Sequence, residues 1–457
     1  MTSDAVRRPW WDTLRLYAQP RPLAMLFLGF SAGLPFLLVF STLSAWFREA
    51  GIDRTTIGLL SWVGLAYSFK LLWAPLVDRL SLPWLTARLG RRRSWMLLAQ
   101  FALIAGLAAM AHGDPTQNLL GLAVLAVCVA FASATQDIAI DAWRIESAPV
   151  DMQGTMAAAY QLGYRVGLLM ATAGALWLAG EYDWRTAYLA MAALIGLGLL
   201  TTLMVPEPTV KPSAATAAQE QRVLAFMTRK AHWPEGLRRA GGWFVGAVVC
   251  PLVDFFARNG MATGALILAF IGTFRLTDYT MGVMANPFYL DVGYTLQEIA
   301  LVAKGYGVVA SIVGVIVGGL GVARFGVVRA LIIGGVLVIL SNLAFATLAF
   351  QQDPDLIGLG LVVSADNFAY NFAGTAFIAY LSGLTNTAYT ATQYALFSSL
   401  FSLPGKLLMG ASGYVVDTSG YPFFFLYTSA LGIPALVLLV LLNRRLRRRP
   451  PAPAATA

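Results

Sequence analysis

Several ionisable side chains fall inside long apolar stretches of this chain: Lys70, Asp137, Asp141, Arg165, Arg275, Asp278, Lys304, Asp366 and Lys406. A charge in such a setting is costly and needs either a partner or a task. Acids and bases are nearly balanced, so internal pairing is one account. The other is functional: the bases receive an anionic substrate and an acid carries a proton. Asp137 and Asp141 are four residues apart, and Arg275 and Asp278 are three apart, so each pair shares a helix face. Lys70 precedes Asp78 by eight residues, about 12 Å along a helix, too deep to reach the surface easily. Polar aromatic groups accompany the charges: Tyr160, Gln161 and Tyr164 before Arg165, then Asn367, Tyr370 and Asn371 after Asp366. Aromatic faces with amides and hydroxyls suit sugar rings, although Tyr and Trp also belong at membrane interfaces. The expected substrate contacts are Lys70, Tyr160, Gln161, Arg165, Arg275, Lys304, Asn367, Tyr370 and Lys406. The expected proton carriers are Asp137 first, then Asp278, with Asp141 and Asp366 behind them. The competing role for Asp137 or Asp141 is a latch, paired with Arg144 or with an arginine of the Arg91–Arg93 run.

The elements that must hold these groups are membrane helices. The 457 residues are 58% hydrophobic and only 12% charged, half the charge of an ordinary soluble domain. Apolar runs near 20 residues recur along the chain, long enough to cross a bilayer as helices, and they do not alternate as barrel strands do. We read twelve spans, at about 23–47, 55–78, 95–112, 117–140, 154–179 and 185–205, then 262–290, 296–322, 327–350, 355–383, 389–416 and 421–443. The expected fold is therefore all-α, with two six-helix halves at 1–205 and 262–443. Residues 206–261 form a linker, and 444–457 a basic tail. Pro206–Gln221, rich in Pro, Ala, Thr and Ser, reads as a linker. Trp243, Phe244, Phe255 and Phe256 read as an interfacial segment, with a re-entrant piece of span seven as the alternative. Gly163 and Gly167, or Gly305 and Gly307, fit close helix packing better than binding.

Charge orients the spans. Arg88 and Arg91–Arg93, the linker's Arg222, Arg229, Lys230, Arg238 and Arg239, then Arg324 with Arg329, and the Arg444–Arg449 cluster all fall on one side of a twelve-span chain. The opposite loops carry Asp114, Glu181, Asp183, Asp291, Asp353, Asp355 and Asp417. Both termini are expected on the cytoplasmic side. Asp78-Arg79 with Gly90-Arg91-Arg92-Arg93, and Gly318-Gly319 with Arg324-Phe325-Gly326, are matching turns of the two halves. They resemble the loop signature of major facilitator transporters, which makes Asp78, Arg79, Arg91, Arg92 and Arg93 gate candidates. Read without that resemblance, the arginines are topology anchors. Repeated halves around a midplane site are a transporter design.

Other chemistries find little support. The net charge of +9 belongs to loops between spans, so it argues for orientation rather than for nucleic acid. Cys128 and Cys250 lie in apolar surroundings, and His112 with His232 are too scattered for a cluster, so neither a disulfide framework nor a metal site is expected. Arg7-Arg8 are only superficially a twin-arginine signal, since the following apolar run is too long for a signal peptide. A membrane transferase with a metal on Asp137 and Asp141 would need denser acidic motifs in a polar loop. We expect no enzyme activity and no cofactor other than a proton gradient. A passive channel fits the buried charges and repeated halves less well than alternating access does.

Longer motifs narrow the class. Phe69-Lys70-Leu71-Leu72-Trp73-Ala74-Pro75-Leu76-Val77-Asp78-Arg79, Gly90-Arg91-Arg92-Arg93-Ser94-Trp95 and Ser133-Ala134-Thr135-Gln136-Asp137-Ile138-Ala139-Ile140-Asp141-Ala142-Trp143 resemble the AmpG-type muropeptide permeases. So do Leu162-Gly163-Tyr164-Arg165-Val166-Gly167 and Ala391-Thr392-Gln393-Tyr394-Ala395-Leu396. The resemblance runs in order over nearly the whole chain, with a more distant similarity to acetyl-CoA transporters. It implies proton-driven import of N-acetylglucosaminyl-anhydro-N-acetylmuramyl species, with or without peptide, across the bacterial inner membrane for peptidoglycan recycling. The implied partners are this glycopeptide and membrane lipid, with no nucleic acid and a monomeric carrier. Some members of that family continue into a further hydrophobic pair, which this chain lacks. A carrier of another anionic solute, such as an acyl-CoA, is the alternative.

Overall fold

A computed structural model describes residues 16–52, 67, 69–149, 152–209, 214–302, 306–351 and 355–447. Among the described residues the chain is built of helices and turns, without strands. Helices at Pro20–Glu49, Arg91–Ala111, Leu119–Ser147, Gln153–Glu181 and Trp184–Met204 are long and apolar enough to cross a membrane. They correspond to spans one and three to six. The greater part of span two lies outside the described residues; its inner end forms a short turn at Lys70–Leu72 and a helix at Ala74–Arg79. Further candidates at Met261–Val292, Gly307–Phe325, Val327–Ala349 and Leu356–Leu384 correspond to spans seven to ten. Span eleven begins at Thr390–Met409, and Gly420, at φ 76°, turns the chain into span twelve.

Local signals set the helix limits. Asn118 accepts from the Gly121 amide and Asp183 from the Thr186 amide, each capping the first turn of a span. Bonds from the Thr186 hydroxyl and amide hold the Asp183 carboxyl below the usual carboxylate range. Pro35 lies near the end of the first helix, where it leaves the Ser31 carbonyl without its helical donor, and the chain breaks at Phe40 before resuming at Ser41. Span seven is broken at Arg275 (φ −104°), between Met261–Phe274 and Leu276–Val292.

Within the linker, Ala214–Arg229 is a helix. Alanine is the best helix former, and Ala214, Ala215, Ala217 and Ala218 begin this segment. The stretch Glu235–Asn259 is helical throughout and apolar enough to span by length alone. Trp243 and Phe244 are exposed, but Phe255 is buried, so the four aromatics do not share one outward face.

The chain divides into two compact units. One comprises Leu14–Asp254 with Leu381–Ser399, the other Phe255–Tyr380 with Leu400–Ala457. In the first unit, spans one and five cross backbone to backbone. A Cβ on Gly29 or Gly33 would strike the main chain of Tyr160 or Tyr164, and one on Gly163 or Gly167 would strike that of Leu26 or Phe30. The Gly163/Gly167 stripe thus packs as read from the sequence, against a matching Gly29/Gly33 stripe, and the crossing fixes Tyr160, Tyr164 and Arg165 beside span one. One apolar core, including Leu34, Leu38, Leu103, Met110, Val129 and Tyr188, fills one end of this bundle. Another, including Met25, Leu28, Met96, Ile138 and Trp143, fills the arginine-rich end, where Ala391 and Ala395 join it. In the second unit, Phe288, Phe345, Phe424 and Phe425 form an aromatic core.

Candidate functional site

At the arginine-rich end of the first unit every strong charge is matched. The Arg92 guanidinium is buried and holds Asp78 at 2.8 Å and Glu146 at 2.5 Å. Asp78 also accepts from the amides of Ala391 (3.0 Å) and Thr392 (2.6 Å), in the first turn of span eleven. A carboxylate there satisfies free amides and complements the helix dipole. Arg91 donates to the Asp78 carbonyl at 2.5 Å. Arg93 donates to the carbonyls of Thr202 and Leu203, at the end of span six. Glu207 returns the contact: its carboxylate accepts from the Arg92 and Arg93 amides at 2.8 and 3.1 Å. Gly90, at φ 86°, leaves the room that Glu207 occupies. Four of the five gate candidates therefore meet in one network. Arg79 stands apart, against Gly246 of the linker helix.

A second network reaches span eleven from the linker. Asp254 accepts from Asn386 Nδ2 and from Gln393 Nε2 at 3.1 Å, and Gln393 Nε2 also donates to the Pro251 carbonyl. Asp141 pairs with Arg144 at 3.0 Å. Arg144 also donates to Ser382 at 2.7 Å and lies over the Tyr394 ring. Of the two acids on span four, Asp141 thus has the latch partner.

Asp137 has no ion pair within 4.0 Å among the described residues, and its Oδ1 is enclosed without a hydrogen-bond partner. Lys70, Asp141 and the Tyr160 hydroxyl surround it within electrostatic reach. Here sequence-expected residues from spans two, four and five gather around a single acid. Gln136, beside it, accepts from Ser31 on span one at 3.3 Å and faces another side of the helix.

In the second unit the acids are better provided. Arg275 and Asp278 pair at 2.9 Å, and the guanidinium lies 4.0 Å from the Tyr370 ring centre. Asp366 accepts from Ser341 at 3.0 Å and lies within electrostatic reach of Asp278. Asn367 accepts from Ser311 at 2.9 Å. Gln161, Arg165, Tyr370 and Lys406 all have interaction partners, and all are partly buried. Lys304 lies outside the described residues.

Membership can now be tested against known proteins. The sequence profile of the Major Facilitator Superfamily matches residues 25–409. The chain belongs to this superfamily. Within it, this transporter is 38% identical over 437 residues to the anhydromuropeptide permease of Escherichia coli K12, covering 95% of the chain and 82% of that protein. A Rickettsia felis protein carrying the name AmpG 4 is 34% identical over 433 residues, covering 94% and 98%. These relatives place the chain in the anhydromuropeptide permease family, and it is a multi-pass membrane transporter rather than an enzyme. Solved facilitators share its fold at 14% identity: the Escherichia coli fucose:proton symporter (TM-score 0.65, 95% and 99% covered) and a proton:xylose symporter (TM-score 0.62, 94% and 96% covered).

Sequence reasoning missed Glu146, Glu207, Asp254 and Asn386, and quoted Gln393 only within a motif. Each is polar at the end of a helix, where a polar residue needs no explanation. The available signal was weak: Pro206-Glu207 just after an apolar run, and Glu146 one turn beyond Asp141.

Proposed function

We propose that this transporter imports anhydro-muropeptides, the N-acetylglucosaminyl-anhydro-N-acetylmuramyl compounds with or without peptide, by proton symport across the bacterial inner membrane for peptidoglycan recycling. The observation that carries this reading is the 38% identity to an anhydromuropeptide permease along 95% of the chain. In this reading Asp137 carries the proton. Its carboxylate sits in a helix interior without an ion pair, and such a group can exchange a proton as its surroundings change between states. Asp278 and Asp366 already hold Arg275 and Ser341, which makes them weaker candidates. Lys70, Arg165, Lys304 and Lys406 are the bases assigned to substrate carboxylates, with Arg275 committed to its own acid.

The working carrier is a monomer with both termini cytoplasmic. Uptake of a labelled anhydro-muropeptide into proteoliposomes tests the function directly. Accumulation should require the protein and rise with an imposed inward proton gradient. Gradient-independent equilibration would remove symport, and absence of uptake would remove the substrate. Single cysteines placed near Pro212 and Asp355 should label from opposite faces; labelling of both from outside would break the orientation.

A further inference from the structure

The Asp137 cluster continues into residues that the transport reading does not use. Phe36 and Phe40, one turn apart on span one, have ring centres 4.9 Å apart. Tyr67 stands edge-on to Phe36 at 5.2 Å and lies 6.4 Å from Phe40. All three rings are partly exposed, while Phe40 and Tyr67 are backed by the apolar core. The wall ends in polar atoms. The Tyr67 hydroxyl, Ser133 Oγ and Asp137 Oδ1 are enclosed, and none has a hydrogen-bond partner at good geometry. They are neighbours: Tyr67 lies beside Ser133 and within electrostatic reach of Asp137. Ser133 and Asp137 are one turn apart on span four.

Three enclosed polar atoms, with Tyr67 and Ser133 reaching each other only loosely and Asp137 Oδ1 without a well-formed bond, beside a wall of aromatic rings, call for a ligand, because buried polar groups are otherwise well paired. Their chemistry restricts it. An ionised Asp137 can only accept, so the ligand must donate. Tyr67 and Ser133 both donate and accept. A carboxylate would leave Asp137 unmet, and an ammonium would leave the two hydroxyl donors unmet. Lys70 offsets the charge of Asp137, so a neutral group is preferred. A group with an apolar face and a rim of hydroxyls meets every demand.

We infer that Phe36, Phe40, Tyr67, Ser133 and Asp137 form a subsite for a neutral pyranose ring, and that it takes the glycan end of the transported glycopeptide. The second clause rests on the muropeptide reading; the first does not. The assignment separates the substrate by chemistry, with sugar at this subsite and peptide carboxylates at the bases proposed above.

The test uses the purified full-length transporter. Binding of three probes is followed by ligand-induced thermal stabilisation: the peptide-free disaccharide, the same disaccharide with its peptide, and methyl N-acetylglucosaminide. Tyr67→Phe removes one hydroxyl and should weaken binding of the disaccharide about three- to tenfold, by the same factor with or without peptide. Phe36→Leu should do likewise, and Ser133→Ala should follow if either variant fails to fold. Unchanged affinities in variants that fold normally would overturn the subsite, leaving these atoms to water. Weakening for the peptide-bearing ligand alone would also overturn it, since the groups would then meet peptide. If the wild type binds the simple glycoside in a Tyr67-dependent manner but no muropeptide, the subsite stands and the transported substrate is another glycoside. If it binds none of the three, both readings fail.

Discussion

Two neighbouring stretches of span four make opposite use of charge. At its arginine-rich end, Asp141, Glu146, Arg92 and Asp78 are all held by ionic partners, and even backbone amides of span eleven are drawn in. One turn before Asp141, Asp137 has an enclosed oxygen that lacks a well-formed hydrogen bond, as do Ser133 and Tyr67. The same helix thus carries a saturated network and an unsaturated one. A saturated network holds a conformation, because removing any member leaves a buried charge alone. An unsaturated one is costly at rest and gains when a ligand or proton arrives. This difference sets the proposed gate residues apart from the proposed site without appeal to sequence position.

The comparison predicts the size of mutational effects. Arg92→Gln should be the most damaging, because it leaves Asp78 and Glu146 buried with reduced compensation. Loss of a partner in such a cluster costs about 3–5 kcal/mol, seen as a large fall in the unfolding midpoint in detergent. A wild-type midpoint would mean that the network is not holding the end together. Next comes the Arg275–Asp278 pair in the other unit. Each single neutralisation should destabilise, and the double variant should recover part of the loss, with a coupling of about 0.5–3 kcal/mol. Additive losses would show the pair to be incidental. Glu207→Gln keeps one acceptor for the Arg92 and Arg93 amides, so it should cost only about 1 kcal/mol.

The smallest effect on stability belongs to Asp137→Asn, since no ion pair is lost. Its effect on coupling should be complete: no accumulation driven by a proton gradient, with substrate counterflow retained. Full gradient-driven accumulation would move the proton to Asp278 or Asp366. A marked fall in stability would instead place Asp137 among the holding residues.

Much of this was legible in the sequence. Span positions follow from apolar runs, and the glycine stripes at Gly163 and Gly167 announced a close crossing. Asp137 and Lys70 stood out because a charge in an apolar run is rare. Partners were not legible. Nothing in the spacing links Asp78 to Ala391, or Glu207 to Arg92, since such pairs are made by helix packing between distant segments. Phe36, Phe40 and Tyr67 were hidden for another reason. An aromatic residue within an apolar run reads as core, and only the convergence of unmet polar atoms beside these rings gives them a second meaning. The Ala214–Arg229 helix was obscured by the prolines and small residues that precede it.

The membership of Leu381–Ser399 in the first unit has a consequence for the order of synthesis. Asp78, Arg144 and Asp254 all find partners in that segment, yet it leaves the ribosome long after Asp254 does. At roughly 5–20 residues per second, the wait is on the order of ten seconds. During that interval the first unit already stands in the membrane with these contacts unmade, while Arg92 and Asp141 hold Asp78 and Arg144. The last stretch of the first unit to arrive closes the unit that began to fold first, so a nascent chain stalled before residue 381 should be far easier to proteolyse at its arginine-rich end than one stalled after residue 399.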